Sequence, residues 1–300
     1  MRVRFSARAG AWDEWAPALT AACPGMQLLR AGDPASFDAI IYAPGGDIED
    51  FAPYTRARLV HSLWAGVERI VTNPTLTQPL ARMVDPGLAA GMAEYCTGWV
   101  MRAHLGMDRY RQDGQWRNGQ IPPLAAERPV TILGMGELGR ATARLLTGIG
   151  FPVTGFSRSG APVPGVTVTP DLHSALSRAE VLVTLLPDTP ETRDLLDATG
   201  LAQLPQGAWL INPGRGTLID DDALLAALDD GCLSHAVLDV FRSEPLPPTH
   251  PFWAHPAVTV TPHIAAETRP GTAAPVVAQN LRDAMAGRPV AHLVDRSRGY

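Results

Sequence analysis

The chain has 300 residues, of which 46% are hydrophobic and 18% charged, enough apolar sequence for two compact domains. Its net charge of −5 lacks the positive excess expected of a protein that binds nucleic acid or an anionic membrane. All 25 basic residues are arginine, which excludes a Schiff-base lysine, a phosphate-loop lysine and a lysine general base.

Three cysteines, Cys23, Cys96 and Cys232, are odd in number and isolated from one another. This pattern favours reduced thiols in the cytoplasm over disulfides or a zinc site. The opening MRVRFSARAG predicts a strand rather than a secretion signal, and no apolar run approaches the roughly 20 residues that cross a bilayer. We therefore expect a cytoplasmic protein without membrane or nucleic-acid partners.

The first 90 residues predict a small α/β unit in which apolar stretches alternate with polar segments: MRVRFSA, FDAIIYAP, RLVHSLWAG and RIVTN. A long amphipathic helix, GLAAGMAEYCTGWVMRAHL, leads into the rest of the chain. Near the other end TAAPVVAQNLRDAMAG predicts a helix that returns to the first unit. We expect residues 1–91 and 270–300 to form a discontinuous substrate-binding domain, with a cleft between it and a second domain.

Residues 92–269 predict a dinucleotide-binding domain with a doubly wound parallel sheet, because short apolar runs alternate with helical patterns such as ELGRATARLLTGIG and DDDALLAALDDG. The predicted fold class is α/β, with two Rossmann-like domains. Strands of the second domain are expected at Val130–Leu133, Val153–Phe156, Val166–Val168, Val181–Leu185, Ala208–Ile211, Ala236–Leu238 and Val258–Val260.

A glycine-rich turn follows the first of these strands. The sequence LGMGELG keeps the G-x-G-x-x-G spacing between a predicted strand and a predicted helix. Backbone N–H groups there can bind a pyrophosphate, although the same spacing also occurs in ordinary tight turns. We interpret the turn as a dinucleotide site formed by Gly134, Met135, Gly136, Glu137, Leu138 and Gly139.

The next strand ends in GFSRSG. Folds that bind NAD usually have Asp or Glu about 20 residues beyond the glycine-rich turn, where the carboxylate binds the ribose hydroxyls. This chain has Ser157 at that position, followed by Arg158 and Ser159. A guanidinium and hydroxyl groups suit a ribose 2′-phosphate, which a carboxylate would repel. An ordinary polar loop is the alternative, but the missing acid favours NADPH, with NAD as the weaker alternative.

Three further strands are followed by Arg215, by Asp239 and Glu244, and by His263. The carboxyl ends of parallel strands meet at one edge of a sheet, so we expect these side chains to converge. Hydride reduction of a 2-keto acid needs a cation for the carboxylate and the carbonyl oxygen, and a proton donor for the forming alkoxide. Arginine supplies the first, and a histidine paired with a carboxylate supplies the second.

Motifs spread nearly end to end point to one family: LWAGVERI, GMAEYCTGWVMR, LGMGELG, GFSRS, LLPDTPETRDLL, INPGRG, LDVFRSEPLP, HPAVTVTPHIAA and LVDRSRGY. Together they resemble the D-isomer-specific 2-hydroxyacid dehydrogenases, most closely the NADPH-preferring glyoxylate/hydroxypyruvate reductase A group. The resemblance implies an oxidoreductase that reduces glyoxylate or hydroxypyruvate.

The resemblance also implies roles for individual residues. His263 would be the general acid and base, Glu244 would hydrogen-bond it, and Arg215 would bind the keto acid. Further cofactor contacts would be Leu186, Pro187, Thr192, Pro213, Gly214 and Asp239, the last against the nicotinamide carboxamide. The substrate carboxylate would meet the backbone N–H groups of Trp64, Ala65, Gly66 and Val67.

Two positions depart from the family pattern. Pro213 and Gly214 stand where relatives have small aliphatic residues, often followed by alanine; a proline supplies no N–H, but its carbonyl stays available. Trp64 stands where many relatives have a small residue. Its indole either narrows the pocket towards small keto acids or packs into the core, and the sequence leaves both alternatives open.

His250 and His255 lack a carboxylate or cysteine at metal-ligand spacing, so no metal site is predicted. The polar segment RYRQDGQWRNGQIPP around Trp116 is similar to family arms that wrap a second subunit, so we expect a homodimer; a surface loop is the alternative.

Two other functions stay open on the same scaffold: a dehydrogenase for a bulkier D-2-hydroxy acid, and a non-catalytic NAD(P)-sensing interaction protein. A formate dehydrogenase is disfavoured because that branch of the family has glutamine where this chain has Glu244.

Overall fold

The computed structural model describes residues 1–110, 114–116, 118 and 121–299. Contacts divide the chain into two units, one formed by Met1–Leu88 with the chain from Thr268 onward, the other by Ala89–Glu267. The sequence predicts these boundaries after residues 91 and 269, within three residues of the observed ones. Each unit contains a parallel sheet with helices, so the predicted α/β fold class is confirmed.

The first unit contains five strands: β1 (Arg2–Ser6), β2 (Gln27–Leu29), β3 (Ala39–Tyr42), β4 (Val60–Ser62) and β5 (Leu80–Ala81). They pair in parallel in the order β2-β1-β3-β4-β5. Alternate residues of β3 belong to different apolar clusters: Ala39 and Ile41 pack in one cluster, and Ile40 packs in the other. The sheet is therefore buried on both faces, as parallel sheets usually are.

Short elements of the first unit differ most from the sequence pattern. β2 and β5 have three and two residues, too few to show an alternating pattern, so the sequence does not predict them as separate strands. The apolar stretch 69–73 enters a short helix, α2 (Glu68–Val71), which follows the longer α1 (Ala11–Ala22). None of these differences moves a candidate functional residue away from the end of its strand.

The second unit begins within the long helix α3 (Pro86–Leu105). Its seven strands lie close to the predicted ones: β6 (Val130–Leu133), β7 (Val153–Phe156), β8 (Thr167–Thr169), β9 (Val181–Thr184), β10 (Ala208–Asn212), β11 (Leu233–Leu238) and β12 (Val258–Val260). The helices between them are α4 (Glu137–Ile149), α5 (Leu172–Leu176), α6 (Ala198–Leu201) and α7 (Asp221–Asp229).

All seven strands are parallel, in the order β12-β11-β10-β9-β6-β7-β8. From β6 the chain first builds outward through β7 and β8, then returns to place β9 on the other side of β6. This reversal of strand order opens a crevice at the carboxyl ends of β6 and β9, the position where open α/β sheets bind ligands. The loops of this unit that carry candidate residues all leave the same edge.

The last helix, α8 (Pro270–Met285), belongs to the first unit and packs on α1. Its apolar face contributes Ala274, Val277 and Leu281 to the cluster that covers one face of the first sheet. Within the described ranges, no helix has the length and apolar character needed to span a bilayer.

Candidate active site

The glycine-rich turn joins β6 to α4 and brings the start of this 13-residue helix to the sheet edge. A side chain at Gly139 would overlap with the carbonyl oxygen of Gly134, so the helix can begin this close to the strand only with glycine there. A side chain at Gly136 would instead meet nothing within 4 Å. The turn therefore offers open space next to a helix start, which suits a pyrophosphate.

Ser157, Arg158 and Ser159 form an exposed turn directly after β7. The two serine hydroxyls lie 3.1 Å apart, and the N–H of Gly160 donates to the carbonyl of Ser157 at 2.9 Å. The turn is thus ordered by its own hydrogen bonds, and Arg158 is an exposed residue. This placement is compatible with a phosphate held from outside.

The loop after β9 lies next to that turn. The hydroxyl of Thr192 donates to the carbonyl of Pro187 at 2.6 Å and accepts the N–H of Thr189 at 2.9 Å, which closes the loop. The pKa of Glu191 is lowered mainly by hydrogen bonding from Thr189 and to a smaller extent by the charge of Arg158. The charge of Arg158 therefore acts on the loop that carries the predicted cofactor residue Thr192.

Arg215 follows β10 and the buried pair Pro213 and Gly214. The side chain of Asn212 holds this loop, accepting the N–H of Gly214 at 3.1 Å and donating to the carbonyl of Arg215 at 3.0 Å. A side chain at Gly216 would overlap with the backbone of Phe241. The Arg215 loop is therefore packed tightly against the loop that follows β11.

His263 and Glu244 come from different loops of the same edge, and the structure brings them together. His263 Nδ1 lies 2.8 Å from Glu244 Oε2, while Glu244 Oε1 accepts the N–H of Phe241 at 3.0 Å. The bond from Phe241 fixes the orientation of the carboxylate, and the carboxylate in turn fixes the orientation of the imidazole ring. The other ring nitrogen, Nε2, takes no part in this bond. The side chain of His263 is 54% exposed.

The two side chains shift each other's protonation. The hydrogen bond that His263 donates to Glu244 raises the pKa of His263 most. Burial opposes this increase, the charges of Glu244 and Asp239 add to it, and the charge of Arg215 lowers the pKa. Burial raises the pKa of Glu244, but hydrogen bonds from His263 and Phe241 outweigh it, so the pKa is lowered. The pair therefore keeps the imidazolium, which is the proton donor, to a higher pH than an isolated histidine would.

The backbone at His263 is in the left-handed region, with φ of 55°. This conformation is uncommon for a residue with a side chain and costs of order 1–3 kcal/mol unless its surroundings hold it. The surroundings are Asp239, fully buried, and two residues that the sequence analysis missed, Tyr95 and Thr261. Thr261 had a local signal, because it stands two positions before the histidine; Tyr95, in α3, had none.

The predicted substrate-carboxylate residues follow β4 in the first unit. The N–H of Trp64 donates to Ser62 Oγ at 2.9 Å, so a partner within the chain already occupies it. For the N–H groups of Ala65, Gly66 and Val67, the part of the chain that the structure describes holds no acceptor. The indole of Trp64 is 43% exposed, which contradicts the alternative that it packs into the core.

His250 and His255 each lie near an aspartate. His255 Nε2 lies 3.2 Å from Asp229, and His250 Nε2 lies 3.6 Å from Asp221. Among the described residues, no group of three or more His, Cys, Asp and Glu side chains is placed to hold a metal ion. The predicted dimer arm, residues 109–123, lies partly outside the described residues; Trp116 is described and is 92% exposed.

Known proteins similar to this chain agree on one family. Residues 99–265 match a protein-family model described as D-isomer specific 2-hydroxyacid dehydrogenase, NAD binding domain. The chain is 38% identical to glyoxylate/hydroxypyruvate reductase A of Serratia proteamaculans, with 96% of each chain covered.

Solved structures agree as well. A D-isomer specific 2-hydroxyacid dehydrogenase from Xanthobacter autotrophicus, in complex with NADPH and MES, has a TM-score of 0.93 and 38% identity over 100% of this chain and 99% of that one. An NADPH-dependent glyoxylate/hydroxypyruvate reductase from Sinorhizobium meliloti, in complex with NADP and sulfate, has a TM-score of 0.90 and 33% identity at the same coverage. The resemblance seen in the sequence motifs is confirmed: the chain belongs to the D-isomer specific 2-hydroxyacid dehydrogenase family.

Proposed function

We propose that this protein reduces a small 2-keto acid, glyoxylate or hydroxypyruvate, to the D-2-hydroxy acid with NADPH as the electron donor. The observation that carries the proposal is the 2.8 Å contact of His263 Nδ1 with Glu244, at the same sheet edge as Arg215 and the glycine-rich turn. The names and bound cofactors of the similar proteins support the substrate class and the choice of NADPH.

The residues of the second unit fit a dinucleotide, because open space faces Gly136 at the point where α4 begins. Residues 134–139 would bind the pyrophosphate, and residues 157–159 would bind the 2′-phosphate. Leu186, Pro187, Thr192, Pro213 and Gly214 would line the rest of the cofactor. When bound, NADPH supplies the hydride.

His263 supplies the proton. Its Nδ1 is engaged by Glu244, so Nε2 is the atom that can donate to the substrate carbonyl oxygen while the carbonyl carbon receives the hydride. The C=O double bond becomes a C–O single bond, and the proton completes the hydroxyl. Glu244 stays ionised and stabilises the imidazolium before the proton transfer. A proton from water restores the imidazolium afterwards.

Arg215 binds the substrate in this scheme. Its planar guanidinium can hold the substrate carboxylate and the neighbouring carbonyl oxygen together, which fixes the face that receives the hydride. The positive charge also withdraws electrons from the carbonyl and stabilises the developing alkoxide. The tight packing around Gly216 supports this function, because it limits the positions that the Arg215 backbone can take.

The test is NADPH oxidation by the purified protein across glyoxylate, hydroxypyruvate and bulkier 2-keto acids. We expect turnover with the small keto acids, and a His263→Ala variant about 10²–10⁴-fold lower in kcat with little change in NADPH affinity. Faster turnover of a bulky 2-keto acid would assign the other dehydrogenase activity. NADPH binding without turnover of any keto acid would instead favour the NAD(P)-sensing interaction protein.

A further inference from the structure

The turn that carries His263 is held by a buried carboxylate. The N–H of His263 donates to the carbonyls of Asp239 and Thr261, at 2.9 and 3.0 Å. The side chain of Asp239 then accepts the N–H of Ile264 on Oδ1 and the N–H of Ala265 on Oδ2, both at 2.9 Å. Asp239 therefore binds the backbone of the histidine and of the two residues after it.

Thr261 adds a third donor to the same carboxylate. Its hydroxyl donates to Asp239 Oδ1 at 2.6 Å. Because a hydroxyl has one proton, this bond leaves Thr261 Oγ1 only as an acceptor towards its other neighbour. That neighbour is the hydroxyl of Tyr95, 2.7 Å away, so the tyrosine is the donor.

The three side chains form a directed chain of hydrogen bonds, from Tyr95 to Thr261 to Asp239. Burial is the main cause that raises the pKa of Tyr95, and the charge of Asp239 adds to it, so the phenol keeps the proton that it donates. The ring of Tyr95 is fixed by an edge contact with Trp99, with centroids 6.0 Å apart. The chain of bonds therefore starts from a rigid point on α3.

We propose that Tyr95 and Thr261 are positioning residues of the active site, which fix Asp239 and through it the left-handed turn that presents His263 to the substrate. The proposal rests on the proposed function for its effect on turnover. It assigns neither residue a contact with substrate or cofactor. The contact of Asp239 with the nicotinamide, implied by the family resemblance, stays a separate prediction.

Loosening this turn has a measurable consequence for the histidine itself. The charged groups that act on His263 are Glu244, Asp239 and Arg215. The hydrogen bond with Glu244 is the largest cause that raises the pKa of His263, and it depends on the position of the ring. A turn that shifts lengthens this bond, so the pKa of His263 falls along with the turnover.

The test compares Tyr95→Phe and Thr261→Val with a matched control, Thr259→Val. Thr259 lies in β12, two positions before Thr261, and its hydroxyl lies 2.8 Å from His235 Nε2 instead. All three changes remove one hydroxyl and keep the size of the side chain. Thr261→Ser, which keeps the hydroxyl, should restore the wild-type behaviour.

Two properties are measured for each variant: kcat and KM for glyoxylate with NADPH, and the pKa of His263 by NMR titration, assigned with His263→Ala. We expect Thr261→Val to lower kcat about tenfold and Tyr95→Phe about threefold, with KM for NADPH within about twofold of wild type. The pKa of His263 should fall in both variants and stay at the wild-type value in Thr259→Val and Thr261→Ser.

The proposal is overturned if the pKa of His263 is unchanged in both Tyr95→Phe and Thr261→Val. It is also overturned if this pKa falls as much in Thr259→Val as in those two variants. If the wild-type protein does not turn over keto acids, the proposed function fails, and the titration alone then decides the positioning role. If Thr261→Val does not fold, Tyr95→Phe decides it.

Discussion

The protonation of His263 depends on the charge of Glu244, which gives the pair a pH signature. Keto-acid reduction needs the imidazolium, so kcat/KM should be full below the raised pKa of His263 and fall as the pH rises through it. In Glu244→Gln the negative charge is lost and the hydrogen bond that most raises the pKa of His263 is weakened, while burial and the charge of Arg215, which both lower that pKa, remain. We expect the fall in kcat/KM to move to lower pH.

The matched control is Glu180→Gln, because Glu180 precedes β9 and lies at the opposite edge of the sheet, 3.7 Å from Arg128. It should keep the wild-type pH profile. The profile of kcat/KM is the measurement, since it reports the pKa of the free enzyme. A profile of Glu244→Gln that coincides with wild type would contradict the assignment of His263 as the proton donor.

Arg215 gives a second prediction at the level of one residue. Arg215→Lys keeps the positive charge but loses the planar pair of donors that can hold a carboxylate and a carbonyl oxygen together. We expect kcat/KM for glyoxylate to fall roughly tenfold to a hundredfold, with KM for NADPH nearly unchanged. The exposed Arg144→Lys on α4 serves as the control. Wild-type kinetics in Arg215→Lys would show that Arg215 has only a structural role.

The turn after β7 makes a prediction at the level of one structural element. If Arg158 and its flanking serines bind the 2′-phosphate, the combined change Ser157→Asp and Arg158→Ala should raise KM for NADPH about tenfold or more and improve the use of NADH. The reason is twofold: charge-assisted hydrogen bonds to the phosphate are lost, and a carboxylate for the ribose hydroxyls is gained. Steady-state kinetics with both cofactors measure the two effects.

Arg178→Ala removes another exposed arginine of the second unit and should leave the cofactor preference unchanged. Raised ionic strength should weaken NADPH binding more than NADH binding in the wild type, because only NADPH uses an exposed ion pair. A wild-type preference for NADH, or indifference to the double substitution, would remove the basis for assigning the turn to the 2′-phosphate.

The elements show which part of the site a sequence can predict. The strands of the second unit are apolar runs bounded by turns, and because they are all parallel, their ends had to share one edge. The sequence alone therefore predicts that Arg215, Glu244 and His263 lie near one another. The glycine-rich turn was predictable for the same reason, since its spacing has a local cause in the close approach of Gly139 to Gly134.

The contacts that support those residues were not predictable in the same way. Tyr95 and Thr261 are 166 positions apart, and no local pattern pairs a tyrosine of a long helix with a threonine after the last strand. The left-handed backbone at His263 also has no sequence signal, because glycine and asparagine are the residues that usually mark it. Tertiary packing decides both features.

At the scale of the whole molecule, one region exposes an unusual amount of apolar surface. Its exposed side chains, between 49% and 93% accessible, are Met107, Tyr110, Trp116, Ile121 and Leu124. Exposed apolar side chains that cluster in this way mark a surface that binds a partner more often than a surface that stays in contact with water. Together with the family resemblance of the arm, it leads us to propose that the protein is a homodimer formed through the arm around Trp116.

The prediction is that the wild-type protein sediments as a dimer at micromolar concentration and that Trp116→Glu shifts it to monomer, because a carboxylate placed in an apolar interface loses its hydration without gaining a partner. The control is Trp253→Glu, which changes another exposed tryptophan, 52% accessible, outside the arm and should stay dimeric. Thermal unfolding separates loss of the dimer from loss of the fold. A wild-type protein that is monomeric at these concentrations, or a Trp116→Glu variant that stays dimeric, would contradict an interface centred on the arm.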